Sequence, residues 1–243
     1  MKLVIVLLQG LALLAQTPAW TPEQTSNSVV QIAVAVQTPT GQVSFSPHGT
    51  GFFVQVDGLI ATAAHVYLAA VGNIDDQRAG VLVARRFSRT ERTRWVATPL
   101  DLVSVDYAHD VALLRLRAPD PLWQTVGGIV PLQMETRDRP VDNARVALRG
   151  YFGADNFPIF LEGSVAGTTD VGVLGEQELL IVLPIAPGQS GSPLISMATG
   201  RVVGVITAIV PLAVPFNPQP LQSGLARAIE IEHINRLIAS LPQ

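Results

Sequence analysis

The chain has 243 residues, with 16 Lys and Arg against 19 Asp and Glu, and the resulting net charge of −3 argues against a nucleic-acid partner. Hydrophobic residues reach 48% while charged residues make up only 14%, against about 25% in an ordinary globular chain, so many elements must be buried on both faces. No cysteine is present, which excludes disulfides, thiolate catalysis and cysteine-ligated metal; at this length the core can be large enough to need no such staple.

Met1-Lys2 is followed by an apolar run from Leu3 to Ala15, broken only by Gln9 and Gly10, and then by Thr17-Pro18-Ala19 before Trp20. The run is shorter than the roughly 20 apolar residues that span a bilayer and ends in small residues, so residues 1–19 are expected to be a secretory signal peptide. An extracytoplasmic location follows, periplasmic or secreted, with no stable membrane span after cleavage. Thr21-Pro22-Glu23 reads as a helix start with proline in the first turn. Strand patterns then recur between Gly and Pro turn signals: Val29-Val30-Gln31-Ile32-Ala33-Val34-Ala35-Val36 first, then 51–56, 59–62, 80–85, 95–105, 111–115, 145–151, 164–168, 179–183 and 202–209. Many short strands punctuated in this way predict an all-β barrel or sandwich. Pro119-Asp120-Pro121 and Gly127-Gly128 mark a division into two halves between 117 and 130. Residues 211–222, with Pro211, Pro215, Pro218 and Pro220, are expected to form a loop, because proline cannot donate in a central strand. From Ala226 the period becomes helical, with Ile234, Leu237, Ile238 and Leu241 on one face.

Three separate segments carry chemistry. A serine hydroxyl is a weak nucleophile at neutral pH and needs a base to take its proton and an acid to orient that base. Ser190, in Gly188-Gln189-Ser190-Gly191-Ser192-Pro193, is the candidate nucleophile. His65 is the candidate base: it follows Leu59-Ile60-Ala61-Thr62 and two alanines, so little bulk surrounds its imidazole at a strand end. Asp110 is the candidate acid, because it adjoins the apolar strand Val111-Ala112-Leu113-Leu114 directly; Asp106 is its rival. The backbone around Ser190 must turn sharply, and the amides of Gly188 and Ser190 are the expected donors to a developing oxyanion, where losing one donor can cost roughly 3–4 kcal/mol. His48, His109 and His233 have no metal-ligand spacing, and no metal site is expected. The order His, Asp, Ser matches the chymotrypsin-type arrangement.

These segments resemble the trypsin-like (chymotrypsin-fold) serine peptidases, and most closely the HtrA/DegP protease domain. Ser28-Val29-Val30-Gln31-Ile32 resembles that group's first strand, Gly49-Thr50-Gly51-Phe52 with Ala64-His65-Val66 its histidine region, and Asp110-Val111-Ala112-Leu113-Leu114 its aspartate region. Leu148-Arg149-Gly150-Tyr151-Phe152-Gly153 and Glu162-Gly163-Ser164-Val165 are similar to the strands before the nucleophile, and Val203-Gly204-Val205-Ile206-Thr207-Ala208 to the substrate-flanking strand after it. The resemblance implies two six-stranded antiparallel β-barrels with a C-terminal helix: one barrel over about 28–118, a second over about 126–228 and the helix over about 229–241, all within a protease domain of residues 20–243. It implies a serine endopeptidase without cofactor or metal, acting on an extended or unfolded polypeptide that pairs with the backbone of Thr207, Ala208 and Ile209. It also implies that Pro184 lines the primary pocket with Ile185, Ala186 and Ile209 nearby; the lack of charge there predicts small or medium apolar side chains before the cleaved bond.

The sequence departs from the family in two places. Ser192 stands where the usual motif has a second glycine, a change also resembling glutamyl endopeptidases. Gln189 replaces the acidic residue that trypsin-type zymogens carry before their serine, so no activation ion pair is available and the oxyanion turn must be held in another way. The sequence runs on only briefly after the helix, so the PDZ module usual in HtrA proteins is not expected.

Overall fold

A computed structural model of the chain describes residues 21–74, 80–91, 93–118, 120–136, 139–171, 176–212 and 221–242; the expected signal segment 1–19 lies outside them, as do 213–220 of the expected proline-rich loop. After α1 (Pro22–Thr25), strands β1 (Val29–Gln37), β2 (Val43–Phe53), β3 (Leu59–Ala63), β4 (Val81–Phe87), β5 (Trp95–Asp106) and β6 (Val111–Leu116) form one barrel, with α2 (Ala64–Gly72) between β3 and β4. Strands β7 (Arg145–Tyr151), β8 (Pro158–Val171), β9 (Glu176–Val182), β10 (Pro193–Ser196), β11 (Val202–Leu212) and β12 (Leu221–Glu230) form a second, and α3 (Ile231–Ala239) follows. A 3₁₀ helix, Pro121–Val126, lies in the link between the barrels.

Both barrels are closed and antiparallel, and they share one connectivity. The first runs β1-β2-β3-β6-β5-β4 and closes β4 on β1; the second runs β7-β8-β9-β12-β11-β10 and closes β10 on β7. The fold is therefore all-β, two six-stranded barrels with a C-terminal helix, as the resemblance implied. The same topology occurs twice although no repeat is visible in the sequence.

Packing explains the low charge. Side chains alternate across a strand, so an apolar strand with one wet face would bury only every second residue. In β6, Leu114 and Leu116 point into the first barrel with Ile32, Ile60 and Trp123, while Val111 and Leu113 belong to a separate cluster with Tyr151, Ile195, Val205 and Ile234 of the second barrel and α3. In β3, Ile60 faces the first cluster, and Leu59 and Ala61 the second. A third cluster, including Leu148, Ile181, Leu194 and Ile206, fills the second barrel. The interbarrel cluster is the rigid joint on which any site built from both barrels rests.

Three expectations need correction. Pro193–Ser196 and Leu221–Glu230 are strands that no sequence pattern marked, the first because it is short and follows a turn rich in small residues. Pro211 lies within β11, paired with Gln222, where the ladder shifts register between Ile209 and Pro211; an irregularity of this kind tolerates a residue without an N–H. The helical period read from Ala226 begins later, since 226–230 complete β12 opposite β11 and the helix starts at Ile231.

Two-sided burial of β6 makes a specific prediction. Leu113→Ala and Leu114→Ala, on opposite faces, each lower unfolding stability by about 2–5 kcal/mol in denaturant titrations. Near-neutral behaviour of either substitution contradicts the double-core packing.

Candidate functional site

Pairing of β3 with β6 matches Ala63 to Val111 and so brings the start of α2 beside Asp110. The N-terminus of a helix leaves its first N–H groups without intrahelical partners, and Ala63 at the cap position has no side-chain acceptor to offer. Asp110 supplies what is missing. Its carbonyl accepts the Ala64 N–H (3.0 Å), and its Oδ1 accepts the His65 N–H (2.8 Å). Its Oδ2 lies 2.7 Å from His65 Nδ1. A carboxylate only accepts, so Nδ1 carries the proton and Nε2 presents its lone pair. Asp110 makes these bonds from a left-handed backbone, φ 52°, which a non-glycine residue rarely adopts. The two side chains are 46% (His65) and 31% (Asp110) exposed, so the acid lies less deep than its place beside an apolar strand suggested. The rival Asp106 does not join them; it bonds His109 instead, Oδ2 to Nδ1, 2.5 Å.

Ser190 comes from the loop between β9 and β10. Gln189 N–H donates to the Ala186 carbonyl (3.2 Å), and the buried Gln189 side chain returns to accept the Ala186 N–H at Oε1 (2.8 Å). Gly153 N–H donates to the Pro187 carbonyl (2.8 Å), and the Thr50 hydroxyl, reaching across from the first barrel, donates to the Gly188 carbonyl (2.8 Å). Neutral bonds thus hold the turn. The Gly191 N–H donates to the Ile206 carbonyl (2.7 Å) and that of Ser192 to the Gln189 carbonyl (3.1 Å). Among the described residues, the N–H groups of Gly188 and Ser190 alone in this run of five make no hydrogen bond.

Two glycines are sterically required. Gly188 has φ 95°, and a Cβ there would lie 2.6 Å from Gly153 N. Gly191 has φ 83°, and a Cβ there would lie 2.1 Å from the Thr50 carbonyl oxygen and 2.3 Å from Thr62 Oγ1. The nucleophile candidate is therefore pressed against the strand that leads into His65: the Thr50 N–H donates to the Ser190 carbonyl (2.9 Å), and Thr62 Oγ1 to the Thr50 carbonyl (2.7 Å). Ser190 Oγ itself donates to the Thr207 carbonyl, at 3.3 Å, and makes no bond to His65 among the described residues.

Beyond Val205, β11 has β10 no longer beside it: Ala208 and Ile209 pair with Arg227 and Ala226 on one side only, among the described residues. Thr207 is bulged out of that register, with its hydroxyl on the Arg227 carbonyl (3.4 Å). Of the residues expected at the primary pocket, Pro184 is exposed and Ala186 half-buried, while Ile185 is only 5% exposed and packs in the second-barrel core with Leu183, Ile206 and Ala226. Ile185 therefore presents no surface to a ligand in this conformation. Sequence reasoning passed over Thr50 and Thr62, whose hydroxyls act on partners distant along the chain. It also missed the Glu178–Arg227 pair (3.5 Å), where burial pushes the Glu178 carboxyl up against the opposing pull of Arg227, with Asp110 adding to the rise. The family model for the trypsin-like peptidase domain matches residues 49–205, over half of the chain, while no curated protein matches it. Among the described residues no helix is long and apolar enough to cross a membrane.

The double role of Asp110 predicts an order of stabilities. Asp110→Ala loses the side-chain cap and tolerates φ 52° poorly, lowering stability by about 1–2 kcal/mol, whereas Asp110→Asn keeps an oxygen for the His65 N–H and loses less. Denaturant melts that rank Asn below Ala contradict the capping role.

Proposed function

Since the chain belongs to the trypsin-like peptidase family, which carries a serine-protease type of function on polypeptides, we propose that it is an exported serine endopeptidase with a protease domain of the HtrA/DegP kind. Ser190 attacks the scissile carbonyl, His65 Nε2 takes its proton and returns it to the leaving amine, and Asp110 fixes the tautomer and steadies the imidazolium. The N–H groups of Gly188 and Ser190 receive the oxyanion. The observation that carries this reading is the Asp110 carboxylate spanning the main chain and Nδ1 of His65, at 2.8 and 2.7 Å, which leaves Nε2 as the acceptor. Substrate is an extended or unfolded polypeptide adding to the open edge of β11 at Thr207–Ile209. Small or medium apolar residues are preferred before the cleaved bond, a reading supported by the uncharged set Pro184, Ala186 and Ile209.

A second reading, a latent or non-catalytic peptide-binding module, is favoured by one contact: Ser190 Oγ bonds the Thr207 carbonyl instead of His65. Catalytic hydrogen bonds are often long in a ligand-free enzyme and tighten when substrate binds, which makes the enzyme the stronger reading.

Incubation of purified protein with unfolded casein and a fluorophosphonate probe separates these readings. Wild type is expected to be labelled and to degrade casein, and Ser190→Ala to lose both, with turnover down by about 10⁴-fold or more. Casein binding without labelling supports the binding module, labelling without peptide cleavage points to an esterase or amidase, and cleavage of a peptide library mainly after Arg or Glu contradicts the apolar preference. Export is checked separately: the secreted chain is expected to begin near Trp20, and a mature chain that retains Met1 contradicts cleavage.

A further inference from the structure

One residue before Asp110, the turn between β5 and β6 carries a second cluster of side chains that the proposed chemistry leaves unused. Asp106 and His109 come from that turn and His233 from α3, and one ligand atom from each lies within 4.8 Å of the other two. Asp106 Oδ1 accepts the N–H groups of Ala108 (3.0 Å) and His109 (3.3 Å), which fixes the turn, while Oδ2 holds His109 Nδ1. The His109 and His233 rings stack with centroids 3.9 Å apart and planes at 28°, and both line a cleft of about 170 Å³. Arg236 also lines the cleft, with its guanidinium held by Glu232 (2.6 Å), and Asp106 supplies the negative charge of the cluster.

We propose that Asp106, His109 and His233 form a site for one divalent transition-metal ion of the zinc type, with water completing the coordination. Two imidazole nitrogens and one carboxylate oxygen suit such an ion, while Ca²⁺ and Mg²⁺ require more oxygen ligands than the cluster offers. Metal–ligand bonds of about 2.0–2.1 Å place tetrahedral ligand atoms about 3.3 Å apart, so the ligand atoms, which lie within 4.8 Å of one another, must draw together by side-chain rotation that unstacks the two rings. Sequence spacing could not reveal this site, since Asp106 and His109 lie in the first barrel and His233 in the C-terminal helix, with the whole second barrel between them. Bound metal would fasten α3 to the turn that sets the backbone of Asp110. The proposal stands independently of the peptidase reading.

The test uses the untagged full-length chain after treatment with chelator. Wild type is expected to bind one Co²⁺ with the visible d–d absorption of a four-coordinate site, and Zn²⁺ at about 100-fold above its Kd to raise the melting temperature by about 5 °C. His233→Ala and Asp106→Asn are expected to weaken binding at least about 100-fold with unchanged circular dichroism. No binding by wild type, equal binding by His233→Ala, or an equal stabilisation by Ca²⁺ overturns the proposal. Should the variants fail to fold, X-ray absorption of the zinc-loaded wild type decides: two imidazoles per zinc support the site, and a shell of oxygen alone overturns it.

Discussion

Three hydrogen bonds from Asp110 to residues 64 and 65 hold the β3–α2 junction, and the left-handed backbone at Asp110 lets one residue make all three. A residue in ordinary extended geometry at the start of β6 would point its carbonyl and carboxylate in different directions. Here both converge on the open end of α2, where two N–H groups need acceptors that Ala63 cannot provide. The strain of that backbone, of order 1–3 kcal/mol, is tolerable because β6 is locked on both faces by the cores behind it. Stability of the helix end and orientation of the imidazole are thus a single construction.

The second half of the site depends on the joint between the barrels. The same connectivity occurs twice, so the β3–α2 junction of one barrel and the β9–β10 loop of the other are corresponding corners of corresponding sheets. What sets them face to face is the interbarrel cluster, which draws Phe52, Leu59 and Leu113 from one side and Tyr151, Val205 and Ile229 from the other. Thr50 then turns that packing into polar registration: its hydroxyl donates to the Gly188 carbonyl and accepts the Tyr151 N–H, so a single side chain of the first barrel reads two positions of the second. A shift of one barrel against the other would break these bonds together.

The readable part of the sequence was the local part. Strands such as 29–36 and 111–115 announced themselves because burial on both faces removes polar residues from them. His65, Asp110 and Ser190 stand out as candidates because each sits in a short stretch of fixed chemical type beside a glycine turn or an apolar run. Whatever depended on long-range pairing was hidden. β12 was masked by a helical period that belongs to α3, and Pro211 looked incompatible with a ladder whose register shift accommodates it. Ile185 was assigned to a pocket by its offset from Ser190, but the alternation Ile181, Leu183, Ile185 carries it into the core. Thr50 and His233 have no sequence signal at all, since what they touch lies far along the chain.

Gln189 shows how such long-range effects bear on the family resemblance. Without the acidic residue there is no ion pair to draw the turn into shape, and the structure substitutes a closed set of neutral bonds: Gln189 to Ala186 twice, Thr50 to Gly188 and Gly153 to Pro187. An ion pair organises a loop only when both charges are present and weakens as salt screens it. Neutral donors and acceptors neither titrate near neutral pH nor respond to screening, and one of these bonds, from Thr50 to Gly188, forms only when the two barrels pack. Order in the 186–192 turn is therefore held mostly from within the second barrel, with Thr50 tying it to the first. This explains why the amides of Gly188 and Ser190 already stand without partners among the described residues while every other amide from 189 to 192 is engaged. Ser190 Oγ is meanwhile held on the Thr207 carbonyl, while Asp110 fixes the orientation of the His65 imidazole.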